Sequence, residues 1–305
     1  MNNRFTISQS AVQWSLLLIL LLPGYRIKAQ EGVITFDVGS FAVTVLSEKQ
    51  QPNNESDATE EAPLQIFSED ISPNFVSAFL VETGSKTILF DAGYDEKLFD
   101  NLKAYGKTAA NVDAIMLTHM HYDHIGSLLQ NQKKAFPSAE LYIPKAEHDY
   151  WMSDKAMQES PEDSRDGFIQ ARNVIRAYQD KLHLFIPGDI EDTKELLPGI
   201  RGIAAYGHTL GHTGYMLESN NSKMFIWGDL IHVMAIQISS PETTVIMYDV
   251  NSKKAIESRL KLMKYLAEHR ILVAGMHIPF PAIGDLEKNA AKGYKFTPIC
   301  TCEGR

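Results

Sequence analysis

The chain has 305 residues, 44% of them hydrophobic and 22% charged, with 38 acidic against 29 basic side chains, a net charge of −9, 10 His and 2 Cys. That composition excludes whole-chain disorder, and the acidic balance argues against a nucleic-acid binder, which needs surplus Lys and Arg to neutralise phosphate. Cys300 and Cys302 stand too close in sequence for an unstrained mutual bridge, so no disulfide framework holds the fold.

In chain order, residues 14–22 read WSLLLILLL, preceded by Arg4 and followed by Pro23, Gly24 and a short polar stretch ending in Ala29. A basic start, an apolar run too short to span a bilayer and a small residue before the cut are the parts of a secretory signal peptide. The expectation is therefore a signal peptide over 1–29, one folded domain over 30–305, and a periplasmic or secreted product with no membrane attachment after cleavage. Removing 1–29 takes three basic and no acidic residues, leaving 26 against 38, a charge of −12 on 276 residues. In an oxidising compartment such a chain relies on core packing rather than on cysteines.

From Val33 the alternation VITFDVG, then FAVTVLS, predicts a hairpin turning at Gly39 and Ser40. Residues 50–63 are polar and acidic and read as a surface loop. NFVSAFLVET and KTILFDAG form a second strand pair turning at Gly84 and Ser85, and residues 95–105 read as one short helix. Residues 114–126, AIMLTHMHYDHIG, are an apolar strand running into a loop. Helical periodicity follows at 165–182 and 252–269, and strands are expected at 139–143, 201–206, 214–219, 223–228 and 271–276. Many strands interspersed with a few helices indicate a mixed domain whose helices cover sheet faces.

His119, His121, Asp123 and His124 follow that strand as H-x-H-x-D-H. In an extended segment His119 and His121 point to one face and can share one ion, while Asp123 and His124, on the turn towards Gly126, can face a second. Imidazole and carboxylate are the donors that zinc and similar divalent ions take in hydrolytic sites. Three further candidates stand where apolar strands run out: His208 after GIAAYG, Asp229 after KMFIWG and His277 after ILVAGM. Together they supply His119, His121 and His208 for one ion and Asp123, His124 and His277 for the other, with Asp229 between them, the inventory of a two-metal hydrolase.

THMHYDHIG, GHTLGHT, the later Gly228–Asp229 pair and the downstream His277 resemble the metallo-β-lactamase superfamily over most of the mature chain. The resemblance implies an α+β fold, a four-layer αββα sandwich. More narrowly, GHTLGHTGYMLES, WGDLIHVMAIQ, AGMHIPFPAIG and AKGYKF resemble the methyl parathion hydrolase branch, which also contains exported acyl-homoserine lactonases. It implies two divalent ions, zinc being favoured by the nitrogen-rich set, and metal-held hydroxide that opens small-molecule lactones such as N-acyl-homoserine lactones. Phosphotriesters or aryl esters are the alternative substrates, and β-lactams rank lower because true β-lactamases of this fold carry Cys or Ser where this chain has Asp229.

Carried over residue by residue, the pattern makes His208 the ligand and His212 a supporting group, and makes Asp91 an orienting carboxylate. Asp229 and His232 are the catalytic candidates, His232 standing where cytoplasmic lactonases of the superfamily have a Tyr. Phe75, Ile236 and Phe280 are the expected pocket walls. His148, His183 and His269 have no ligand-like context. An exposed apolar amino-terminal hairpin would suit a homodimer.

Overall fold

The computed structural model describes residues 32–50, 75–242 and 249–299. The expected signal peptide over 1–29, most of the 50–63 loop and both cysteines lie outside the described residues. Among these residues are two seven-stranded sheets and a small hairpin. The first sheet takes β1 (Val33–Val38), β2 (Phe41–Gln50), β3 (Phe75–Glu82), β4 (Thr87–Phe90), β5 (Ala114–Met116), β8 (Glu140–Pro144) and β9 (Leu182–Phe185), in that order. Strands β6 (Leu129–Gln130) and β7 (Lys133–Lys134) make the hairpin. The second sheet runs β10 (Glu195–Leu197), β11 (Ile200–Ala204), β12 (Thr213–Ser219), β13 (Ser222–Ile226), β14 (Leu272–Ala274), β15 (Ile283–Lys288) and β16 (Tyr294–Pro298). The helices are α1 (Lys97–Tyr105), α2 (Tyr122–Ile125), α3 (Lys145–Met152), α4 (Asp154–Glu159), α5 (Arg165–Ala177), α6 (Met234–Gln237) and α7 (Ser252–Glu268).

The sheets pack face to face and the helices cover their outer faces. In β3, Phe79 and Val81 face the second sheet, in one cluster with Tyr215, Leu217 and Phe225. Ala78 and Leu80 point the other way, into the cluster that also holds Leu98 and Leu102 of α1 and Phe168, Val174 and Ile175 of α5. Burial on both faces is why FVSAFLVE reads as a near-continuous apolar run rather than a strict alternation. On the far side, Leu262, Met263 and Leu266 of α7 cover the second sheet. This is the αββα sandwich.

The amino-terminal hairpin differs from expectation. Its apolar side chains are buried: Ile34, Phe36, Val38, Val43 and Val45 lie between the sheets. Its turn is tied to the second sheet by Ser40, whose backbone N–H donates to Ser219 Oγ at 3.1 Å. Among the described residues the hairpin therefore lacks the exposed apolar face expected of it. Among the described residues no helix is long and apolar enough to cross a membrane.

Two parallel strand pairs, β4 with β5 and β13 with β14, are what gather the chemistry. All four strands end in the same region, followed by Asp91, by the His119–His124 segment, by Asp229 and by His277. Side chains far apart in sequence meet beyond the carboxyl ends of adjacent parallel strands.

Candidate metal centre

His119 and His121 leave β5 in extended backbone, then the chain turns into α2, which carries Asp123 and His124. His208 stands in the loop between β11 and β12, and Asp229 sits in the one-turn helix Gly228–Leu230 after β13. The structure brings all seven candidates together in two sets. In one, His119 Nε2, His121 Nδ1 and His208 Nε2 stand 3.0–3.2 Å from one another. In the other, Asp123 Oδ2 lies 3.3 Å from His277 Nε2 and 3.7 Å from His124 Nε2. Asp229 spans the sets: Oδ2 faces His208 at 3.2 Å and His119 at 3.5 Å, and Oδ1 faces His124 at 3.1 Å and His277 at 3.3 Å.

The outward nitrogens decide which atoms point inwards. Asp91 accepts from Thr118 N–H at 2.7 Å, from the Thr118 hydroxyl at 2.7 Å and from His124 Nδ1 at 2.6 Å. With its hydroxyl proton committed to Asp91, Thr118 Oγ1 is left to accept from His119 Nδ1 at 3.0 Å. His208 Nδ1 meets Asp249 Oδ1 at 3.0 Å, and His277 Nδ1 donates to the Phe75 carbonyl at 2.8 Å. In all four residues Nε2 is thereby the free, inward-facing donor. His212 is not among them: its Nδ1 donates to the Ala205 carbonyl and its Nε2 accepts from Asp229 N–H, both at 2.8 Å. It holds the backbone of Asp229.

Converging lone pairs in a dry site repel unless a cation sits among them. His124 Nε2, His277 Nε2 and both Asp229 oxygens are buried without a hydrogen-bond partner. Nitrogens bound at ~2.1 Å around a tetrahedral ion would stand ~3.4 Å apart, close to the spacing of the three-imidazole set. Titration tells the same story. Burial opposes a charge on His277 and His208, yet Asp229 with Asp123 pushes the first up to about 10, and Asp229 with Asp249 pushes the second up to about 9. His124 is likewise held well above its ordinary value against burial, by Asp229, Asp123 and Asp91. Burial and neighbouring imidazoles keep His119 and His121 well below theirs. The carboxylates demand positive charge at the centre, and divalent ions would take the place of those protons. The residues present fit a divalent-metal site.

His232 is buried, with Nε2 2.9 Å from Asp229 Oδ2 and its ring between those of His208 and His277. Its backbone N–H donates to Gln237 Oε1 at 2.6 Å. A cavity of about 890 Å³ opens beside His121, walled by Tyr122, Tyr150, Trp151, Phe168, Leu210 and Val250. The expected walls Phe75, Ile236 and Phe280 do not line it. Phe280 instead packs against the core between the sheets, and Phe75 serves through its carbonyl on His277. His148, His183 and His269 stand apart, against Asp149, Tyr142 and Tyr265.

Three carboxylates escaped sequence reasoning. Asp249 supports His208. Glu147 is wholly buried beneath the site. Glu48 accepts the Tyr94 and Asp95 N–H groups at 2.8 and 3.2 Å, with burial pushing its carboxyl up to about 8.

The sequence profile of the Metallo-beta-lactamase superfamily matches residues 71–272. Hydrolase AbOPH, described as in the beta lactamase superfamily, is 28% identical with a TM-score of 0.75, over 90% of this chain and 100% of that one. AidC, described as a dizinc quorum-quenching lactonase and solved with a product, N-hexanoyl-L-homoserine, is 27% identical with a TM-score of 0.74, over 89% and 99%. Uncharacterized protein YobT of Bacillus subtilis is 26% identical over 148 residues, 48% of this chain and 59% of its own. The chain spans about half the length of the curated relatives it matches.

Proposed function

We propose that this chain, which belongs to the metallo-beta-lactamase superfamily and is a metal-dependent hydrolase, opens lactone rings, N-acyl-homoserine lactones first among them. The observation that carries this reading is Asp229, whose two oxygens each face a separate ligand set, together with the likeness to a dizinc lactonase. Two zinc ions are the proposed complement, held by His119, His121 and His208 on one side, by Asp123, His124 and His277 on the other, and by Asp229 between. Bound there, they would supply a water acidified to near-neutral pH and polarise the scissile carbonyl.

The chain's own side chains do the rest. Thr118, Asp91, Asp249 and the Phe75 carbonyl fix the imidazoles, and His212 fixes the main chain of Asp229. His232, whose Nε2 lies 2.9 Å from Asp229 Oδ2, would pass a proton to the leaving alkoxide. The cavity beside His121 would seat the acyl chain against Tyr150, Trp151, Phe168, Leu210 and Val250, with Ser153, Lys155 and Glu159 among the polar groups on the rest of its lining. Those same walls give the second reading, an aryl ester or phosphotriester, its specific support. The apolar run in residues 1–29 supports export to the periplasm or medium, which fractionation checks.

The test is a panel of homoserine lactones of increasing acyl length beside an aryl ester, a phosphotriester and a chromogenic cephalosporin. The reading expects the highest kcat/KM for a lactone, rising with acyl length as the chain fills the cavity. A higher value for the cephalosporin or the phosphotriester would overturn it.

A further inference from the structure

We infer that Glu147 is a positioning residue that clasps the two loops bearing the three-imidazole set and holds that set, but not the Asp123–His124–His277 set, in register. The inference rests on the reading that both sets bind metal. Glu147 lies in α3 and is 0% exposed. Its Oε1 accepts from Gly211 N–H at 2.8 Å, and its Oε2 accepts from Met120 N–H at 3.2 Å and from Trp151 Nε1 at 3.0 Å. Met120 separates His119 from His121, and Gly211 lies in the loop that presents His208. One carboxylate thus bonds to both main-chain segments that deliver the set.

The fit is close. A Cβ on Gly211 would stand 2.6 Å from Glu147 N and 3.0 Å from its Cγ, so only glycine lets the His208 loop approach α3 this far. Trp151, one turn along α3, donates to Glu147 and sets its ring edge against His121, with ring centres 6.1 Å apart. These three partners are N–H donors, and the buried Thr209 hydroxyl is a fourth polar group at the carboxylate. An amide in place of the carboxylate would turn its own NH2 group onto one of them, so the pattern selects Glu over Gln despite equal size. An apolar residue of similar volume would strand these buried N–H groups, so metal affinity at each set, rather than stability, distinguishes a positioning role from a merely structural one. The outer contacts of the second set run elsewhere, from His124 to Asp91 and from His277 to Phe75.

The experiment is stepwise Zn²⁺ and Co²⁺ binding by the full chain in competition with a chromogenic chelator, for the wild type, Glu147→Gln, Trp151→Phe and each variant in an Asp123→Ala background, where only the three-imidazole set is intact. Glu147→Gln should weaken binding at the three-imidazole set by roughly 10- to 100-fold, the range for loss of a supporting group, and leave the other ion's affinity as in the wild type. Trp151→Phe, which removes one N–H donor of three, should show the same one-sided loss at smaller size, and it carries the test should Glu147→Gln fail to fold. Unchanged affinity at the three-imidazole set, or equal weakening of both ions, would overturn the positioning role alone. A wild-type chain that binds no ion would sink both this inference and the metal-dependent reading beneath it.

Discussion

Replacing Gly228 by alanine should damage the centre through its scaffold rather than its ligands. Gly228 has φ +57°, and a Cβ built there would lie 2.5 Å from His212 Nε2 and 2.9 Å from Thr118 Cβ. Neither neighbour can give way cheaply. His212 is pinned between the Ala205 carbonyl and Asp229 N–H, and Thr118 is pinned by its two bonds to Asp91. The left-handed backbone costs a non-glycine residue ~1–2 kcal/mol, and forcing atoms into a packed core adds ~1–3 kcal/mol. Together they predict a loss of about 2–5 kcal/mol, at least about 4 °C in Tm for a domain of this class. Because His212 must move, Asp229 loses its main-chain anchor, so metal affinity should fall as well. Thermal unfolding of metal-free Gly228→Ala and a chelator-competition titration read the two effects. A Tm within about 1 °C of wild type with unchanged metal affinity would refute the reasoning.

Asp249→Asn keeps the shape and an accepting oxygen beside His208 but removes the charge, and should weaken metal binding about 10-fold in the same titration. For Glu48, the folded pKa stands near 8 against an ordinary 4.5, raised by burial and by Asp95 and Asp123 over the pull of two N–H donors. A raised folded pKa means that its contribution is fully present below about pH 4.5 and is lost as pH climbs through 8. Glu48→Gln, fixed in the neutral form, should therefore gain on the wild type between pH 5 and 9, by up to roughly 4 kcal/mol, in urea unfolding of the metal-free protein. Parallel stability curves would contradict this. His269→Ala removes an exposed imidazole that bonds only its own helix at Tyr265, and should leave stability within about 0.5 kcal/mol and turnover unchanged.

The parts of this molecule that were legible in the sequence are those whose pattern is local. H-x-H-x-D-H after an apolar run states its own geometry, and the structure brings all seven candidates within reach of one another. The helix read at 165–182 is α5, ending at Ala177 with a single 3-10 turn beyond it, and the one read at 252–269 is α7. Helices α3 and α4 were invisible because their core-facing stripe is nearly absent: in α3 only Glu147 and Trp151 are buried. Strands β15 and β16 mix charged and apolar residues at the end of the second sheet, so no strand is expected there from the sequence. Asp249, Glu147 and Glu48 are single carboxylates whose partners lie 41, 27 and 46 residues away, as in Asp249 to His208, Glu147 to Met120 and Glu48 to Tyr94. Nothing periodic announces such contacts, since only tertiary packing creates them. The hairpin was misjudged for a related reason: alternation shows that one face is apolar but not what covers it.

The central claim is that Asp229 joins two metal-binding sets into one hydrolytic centre. It is tested most directly by measuring bound metal per chain and turnover of N-hexanoyl-homoserine lactone together, for the wild type and Asp229→Ala. The wild type should hold two ions and open the ring rapidly, an activity abolished by chelation and restored by zinc, and Asp229→Ala should lose both ion content and turnover. Ring opening that survives chelation, or that persists in Asp229→Ala, would contradict the claim.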